Sequence, residues 1–307
     1  QVLFIAKNYF PHLGGVEKHI EQIIKRLKRK KVKVTLVCEY SINTKLYEVL
    51  DGVCVSRVNY PHVKIIGLLS IWWWFWKNRE LIKRADIVHC HDVFIWYLPF
   101  RFLYFKKRVF MTFHGWEGVF PIPYKYKFLK QLSAKLSWGN ICVGRYIEKW
   151  YGIRANFITF GGTDMSNLEK SLDQKKIIYL GRLDEDTGIK IYLEAFRLIK
   201  QINTQTKFEF FGDGEFKTEA KKIGKVHGFK KNTDIFLNEA KFVCTSGYLS
   251  ILEALYLKKL VFAVYNNSLK KDTIEMSPFK NYVLLSKDAN DLAQKIIYFL
   301  TYPSKEN

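Results

Sequence analysis

The sequence has no Cys-x-x-Cys pair, no internal repeat and no low-complexity segment. It also has no apolar run near the about 20 residues that a bilayer-spanning helix needs. Its five cysteines, Cys38, Cys54, Cys90, Cys142 and Cys244, are scattered and odd in number. A disulfide framework therefore does not fit, and reduced core thiols of a cytosolic protein are expected. No signal peptide is recognisable. A full dinucleotide fingerprint is missing. His89 and His91 alternate on one strand face, but no further ligands accompany them, so no metal site is expected. Acidic residues are few: 29 against 50 basic ones, a net charge of +21. That excess favours anionic partners such as membrane surfaces, nucleic acids or phosphorylated substrates.

What is present is a globular chain. It has 307 residues, of which 48% are hydrophobic and 26% charged, enough for two domains of about 150 residues. Aromatics at 16% are high enough to need a cause. The basic residues cluster in Lys25-Arg26-Leu27-Lys28-Arg29-Lys30-Lys31 and in Lys106-Lys107-Arg108. Part of the first run suits the negative end of a helix dipole.

Strand and helix patterns alternate along the chain. Strands are expected at 32–37, 86–91, 109–113, 140–143, 176–180, 208–211, 241–244 and 260–264, and helices at 189–199 and 251–257. This alternation predicts an α/β fold of parallel sheets, with two Rossmann-like doubly wound domains facing a cleft at the carboxyl ends of their strands. The polar stretch from Ser166 to Lys175 lacks apolar periodicity, which puts the join there: residues 1–168, then 169–307.

The apolar start Val2-Leu3-Phe4-Ile5 leads into Tyr-Phe-Pro-His-Leu-Gly-Gly-Val-Glu-Lys-His at 9–19. From Val16 the apolar residues Ile20, Ile23, Ile24 and Leu27 keep a helical period. Gly14 and Gly15 thus open a helix after a strand. Such a helix start offers free N–H groups and partial positive charge, and glycine permits close approach. This is where an α/β sheet holds a phosphate, although a Gly pair also serves as a plain tight turn.

Seven segments in this order resemble the GT-B retaining glycosyltransferases of family four, over roughly residues 2–300. They are Pro11 to His19, the loop with Gly14-Gly15; Asp86-Ile87-Val88-His89-Cys90-His91-Asp92; Thr112-Phe113-His114-Gly115; Gly161-Gly162-Thr163-Asp164; Gly181-Arg182-Leu183-Asp184; Gly212-Asp213-Gly214; and Ser250-Ile251-Leu252-Glu253-Ala254. The resemblance implies transfer of a hexose from a nucleotide sugar, such as a UDP- or GDP-hexose, with retention and without metal or other cofactor. It implies an N-terminal acceptor-side domain and a C-terminal nucleotide-sugar-binding domain. It places the donor at Gly14, Gly15, Arg182, Gly212, Gly214, Ser250 and Glu253. His114 and Arg182 become the catalytic candidates. Arg182 would bring a permanently charged fork to the leaving diphosphate, where charge builds in the transition state. Glu253, heading a helix, would accept both ribose hydroxyls, and His114 would contact the sugar. The blander readings remain open: Arg182 pairing with Asp184 or Glu185, His114 as a core histidine, Glu253 as a surface carboxylate.

Two departures from the family pattern matter. The lysine usual five residues after the arginine is Thr187 here, losing a charge-assisted bond of about 1.5–3 kcal/mol. Lys190, Lys217, Lys221 and Lys270 are candidate substitutes. The carboxylate usual eight positions before Glu253 is replaced by Thr245 on an ungapped count. These losses keep a second class in view, an impaired GT-B pseudoenzyme that binds a glycan or a partner.

The aromatic excess concentrates in Ile71-Trp72-Trp73-Trp74-Phe75-Trp76-Lys77, after Ile65-Ile66-Gly67-Leu68-Leu69, and in residues 94–105. Trp prefers membrane interfaces, and Lys64, Lys77 and Arg79 flank the run. Trp72, Trp73, Trp74, Trp76, Lys106, Lys107 and Arg108 are therefore expected to meet an anionic membrane surface or its acceptor, with basic residues contributing about 1 kcal/mol each. The alternative is a core helix. A lipid-linked or polysaccharide acceptor follows, with the protein peripheral on the inner, cytoplasmic face of the cell membrane. No nucleic-acid motif accompanies the charge, so nucleic acid is not expected as partner.

Overall fold

The computed structural model describes residues 1–163 and 172–305. Two compact units divide it, Gln1–Thr159 and Phe160–Asn307. The expected domain boundary at 168/169 and Asp164 lie outside the described residues. Residues 173–175, expected in the join, already belong to a strand.

The first unit has strands β1 (Val2–Ala6), β2 (Val34–Glu39), β3 (Tyr47–Leu50), β4 (Val53–Val58), β5 (Ile87–His91), β6 (Arg108–Phe113), β7 (Gly139–Val143) and β8 (Phe157–Thr159). Its helices are α1 (Gly15–Arg29), α2 (Lys64–Lys77), α3 (Glu80–Arg84), α4 (Phe94–Leu103), α5 (Tyr124–Leu136) and α6 (Tyr146–Tyr151). The sheet order is β3-β4-β2-β1-β5-β6-β7-β8, and β3 on β4 is antiparallel while the other pairs are parallel. β1 is almost wholly buried because both sheet faces are covered. Ile20 and Ile24 of α1 pack with Phe4 and Leu36 on one of them. Arg26, Lys28 and Arg29 occupy the last turn of α1, where the dipole favours cations.

The second unit has β9 (Asp173–Leu180), β10 (Lys207–Phe211), β11 (Lys225–Val226), β12 (Ala240–Cys244), β13 (Leu260–Val264) and β14 (Val283–Ser286). Its helices are α7 (Ile189–Ile202), α8 (Lys217–Lys221), α9 (Asp234–Glu239), α10 (Tyr248–Tyr256), α11 (Ser268–Glu275) and α12 (Ala289–Thr301). The order is β11-β10-β9-β12-β13-β14, parallel throughout. Alternation along β9 splits the core in two. Ile177 and Tyr179 join Phe196, Leu292 and Ile296 on one face, and Ile178 joins Ile251, Ala254 and Ile274 on the other.

Each sheet has one topological switch point, where the chain leaves a central strand to one side and later returns on the other. It lies between β1 and β5 in the first unit and between β9 and β12 in the second. Ligands of such sheets bind outside the carboxyl ends of the strands at that place.

Candidate active site

At the first switch point β1 runs out into the loop that ends at Gly14, the N-cap of α1. Arg57, buried inside β4, anchors that loop by donating to Phe10 O at 2.7 Å, and it also binds Lys45 O and the Glu48 carboxylate. A side chain at Gly14 would collide with Glu17, its Cβ 2.5 Å from Oε2, whereas a Cβ at Gly15 meets nothing within 4 Å. Glu17 is buried and accepts from His12 Nδ1 at 3.0 Å. A carboxylate thus already stands at the positive end of α1, and the open room lies in front of Gly15.

Four histidines collect beside it. His89 and His91 leave β5 on one face and stack at 4.4 Å between centroids. His91 Nδ1 and His114 Nε2 are hydrogen-bonded at 2.9 Å. His19 of α1 meets the His114 ring edge-on at 4.9 Å, and His89 Nε2 bonds Thr112 Oγ1 at 2.7 Å. Asp92 follows β5 in the left-handed region, φ 59°, and so turns its carboxylate onto the backbone N–H of His114, at 3.1 and 3.2 Å. Lys130 bonds Gly115 O and Glu117, 3.2 Å, and rests on the Tyr151 ring at 4.4 Å. Burial depresses all four imidazoles: His19 and His89 to about 4, His91 and His114 well below their ordinary value. The cluster is neutral at physiological pH. Among the described residues no group of three or more His, Cys, Asp or Glu side chains is arranged to hold a metal ion.

At the second switch point the chemistry is ionic. Arg182, after β9, gives one guanidinium nitrogen to Asp184, 2.8 Å, and another to Asp186, 2.6 Å, and its side chain stays 54% exposed. The pairing left open with Asp184 or Glu185 is thus with Asp184 and Asp186. Thr187 Oγ1 bonds the carbonyls of Arg182, 3.0 Å, and Asp184, 2.6 Å, which makes it a brace of that turn. Of the candidate substitutes, Lys190 pairs with Glu185 and Lys217 with Asp213, both at 2.7 Å. Lys270, in the first turn of α11, lies instead within electrostatic reach of Asp186 and Arg182. Burial lowers its amine to about 8, Asp186 opposing and Arg182 adding to the shift. Sequence spacing gives no hint of this convergence, because 88 positions separate Lys270 from Arg182 and only the β13–α11 crossover unites them.

The neighbouring residues are more structural than expected. A Cβ at Gly212 would lie 1.8 Å from Gly181 O, and one at Gly214 2.2 Å from Asp184 Oδ1. Both glycines let the 212–214 loop press against 181–184. Ser250 Oγ bonds Thr245 Oγ1 at 2.6 Å, and Thr245 Oγ1 bonds Leu180 O at 2.7 Å, tying β12 to β9 beside the start of α10. Glu253 does not head a helix: it is the sixth residue of α10 and only 3% exposed. Its Oε2 lies 3.5 Å from Thr233 Oγ1, so it is not a surface carboxylate either.

The aromatic segments divide between core and surface. In α2, Ile71 and Phe75 are buried, Trp74 is half-buried against Phe75, and Trp72 donates to Ile95 O at 2.9 Å. Ile65, Ile66, Leu69, Trp73 and Trp76 form an exposed stripe, with Lys77 over Trp73 and Arg79 over Trp76. In α4, Phe94, Trp96, Tyr97 and Phe100 are core, which corrects the expectation of a surface patch over 94–105 to Phe102, Leu103 and Phe105. Lys106 lies over Phe105 and Arg108 over Trp138, but Lys107 is spent on the carbonyls of Lys83 and Ala85. A second exposed group, Phe120, Tyr124 and Phe128, escaped the sequence reading, although Tyr-Lys-Tyr-Lys-Phe was its signal. Cys54 is exposed and the other four cysteines are buried. No helix among the described residues is long and apolar enough to cross a membrane.

Comparison with known proteins agrees with this architecture. Residues 13–154 match the family described as Glycosyltransferase Family 4, and residues 162–307 match Glycosyl transferases group 1. The chain belongs to this glycosyltransferase family. An uncharacterized glycosyltransferase of Methanocaldococcus jannaschii is 24% identical over 220 residues. The match takes in 67% of this chain and 58% of that protein's length. Among solved structures, TarM superposes with a TM-score of 0.72 at 12% identity, over 99% of this chain and 92% of its own. An O. sativa protein in complex with UDP and a deoxynivalenol glucoside gives 0.65 at 11%, over 100% and 92%. These likenesses establish the fold, a GT-B pair of Rossmann-like units.

Proposed function

We propose that this chain is a glycosyltransferase that moves a hexose from a nucleotide-diphospho-sugar, such as a UDP- or GDP-hexose, to a lipid-linked or cell-surface glycan, with retention and without metal. One observation carries the reading: histidines and an open glycine lie at one switch point, cations and a helix start at the other. In the second unit Arg182, Lys270 and the start of α10 receive the diphosphate and stabilise the charge that grows on the leaving oxygens. Ser250 and Thr245 hold that helix start in position, and Gly212 and Gly214 keep the loop under Arg182 closed. Glu253 accepts the ribose hydroxyls, and its withdrawal from water strengthens such bonds. In the first unit Gly15 gives room for the sugar and His114 bonds it. The O. sativa relative that holds UDP supports a nucleoside diphosphate as the leaving group.

The exposed stripe of α2, with Lys64, Lys77 and Arg79 along it, rests on an anionic membrane surface on the cytoplasmic side and brings the site to a lipid-linked acceptor. A second reading, an impaired binding protein, is favoured by the two aspartates that already neutralise Arg182.

Calorimetric titration with uridine, guanosine and adenosine diphosphates and their sugars tests both readings. Micromolar binding of one nucleotide, weakened by Arg182→Ala and by Glu253→Gln, with a product of unchanged anomeric configuration by NMR, supports the transferase. A well-folded protein that binds none of them supports the second reading.

A further inference from the structure

We infer that His91 is a positioning residue that fixes the tautomer of His114, so that His114 meets the sugar as a neutral donor through Nδ1–H. The second half of this statement rests on the assignment of His114 to the sugar given above. The tautomer itself is a property of the free protein.

A bond between two neutral imidazoles needs one N–H and one bare nitrogen. His91 Nδ1 and His114 Nε2, 2.9 Å apart, allow two arrangements. If His114 Nε2 donated, His91 would carry its proton on Nε2. That nitrogen is fully buried and has no hydrogen-bond partner among the described residues; the Phe4 ring packs against the same imidazole, 4.9 Å between centroids. A buried orphan N–H is among the rarest features of folded proteins, and an orphan acceptor is less costly. The proton of His91 therefore sits on Nδ1 and is donated to His114 Nε2. His114 must then carry its own proton on Nδ1.

The groups around the pair keep it neutral. Burial disfavours either imidazolium, and the Lys130 ammonium adds like charge against one at His114. The Asp92 carboxylate is engaged with the backbone N–H of His114 and with Lys130. His114 Nε2 is consequently occupied and cannot act as a base toward substrate. The one protic edge left to the ring is Nδ1–H, which suits a hydroxyl or ether oxygen of a hexose.

Long-range proton–nitrogen NMR on the full chain labelled with 15N-histidine reads this directly, with His114 assigned by the loss of its signals in His114→Gln. The expected spectrum at neutral pH has Nδ1 pyrrole-like and Nε2 imine-like in both His91 and His114. His91→Phe is expected to abolish that pattern at His114 and to lower kcat several-fold with the affinity for the bare diphosphate unchanged. His91→Asn, which returns an amide N–H near the lost Nδ1, is expected to restore both. A pyrrole-like Nε2 at His114, or a His114 that titrates near 6.5, overturns the inference. The expected spectrum together with a His114→Ala variant that keeps full affinity for the sugar nucleotide overturns the sugar contact and leaves the tautomer standing.

Discussion

The two switch points occupy equivalent places in equivalent sheets, and they are furnished in opposite ways. Beside β1 and β5 lie four imidazoles that burial keeps uncharged, a glycine with open space before it and a carboxylate on the helix start. Beside β9 and β12 lie an arginine, two aspartates and a lysine whose amine is lowered to about 8. The first arrangement suits hydroxyl groups, which need short neutral hydrogen bonds. The second suits a diphosphate, which needs mobile positive charge. The difference teaches that the fold supplies a position and the strand ends supply the chemistry.

The largest break in this contrast is expected from Arg182→Ala. Losing a charge-assisted bond costs about 1.5–3 kcal/mol, or about 10- to 150-fold in Kd for a nucleoside diphosphate. Asp184 and Asp186, then uncompensated, add repulsion. Titration of the variant checks it, and an unchanged Kd would place the diphosphate elsewhere.

Stability, a different quantity, registers an acid effect on the histidine side. His19 and His89 titrate near 6.5 when unfolded and at about 4 when folded. The unfolded chain thus binds more protons between these values, and stability is full above 6.5 and lost as pH falls towards 4. Each unit of depression corresponds to about 1.4 kcal/mol. Urea midpoints from pH 7 to 4 should fall, and the fall should shrink in His89→Gln. A flat profile would mean that the cluster is not held neutral.

The surface of the first unit offers a third test. Trp73→Ala with Trp76→Ala should lower partition onto anionic vesicles about tenfold, from lost apolar burial. Lys107→Ala should leave partition unchanged and reduce stability instead, because its amine serves two backbone carbonyls. Equal loss in both variants would contradict the division between stripe and core.

The smallest effect sharpens the ionic side. If Lys270 assists the diphosphate as a cation, affinity should decline several-fold from pH 7 to 9 as the amine loses its proton near 8. Lys270→Met should remove the decline.

Much of this was legible in the sequence because local signals carried it. The apolar runs gave β1, β5, β6 and β9, and the Gly-Gly pair marked the start of α1. β4 was missed because Arg57 breaks its apolar pattern, although its guanidinium is satisfied by backbone carbonyls and Glu48 inside the fold. Helix α4 misled in the opposite direction: its aromatics resembled a membrane patch, yet four of them fill the core. The histidine cluster was half visible, since His89 and His91 share a face, but His114 and His19 arrive from β6 and α1, and their meeting depends on strand order. The place of Lys270 beside Arg182 depends likewise on the β9-β12-β13 order, which no spacing encodes.

The most direct measurement compares a bare nucleoside diphosphate with its sugar nucleotide, titrated into the wild type, Arg182→Ala and His114→Ala. The account predicts that Arg182→Ala weakens both ligands alike, while His114→Ala weakens only the sugar nucleotide. A His114→Ala variant that loses the bare diphosphate as severely as Arg182→Ala would contradict the division of labour between the two switch points.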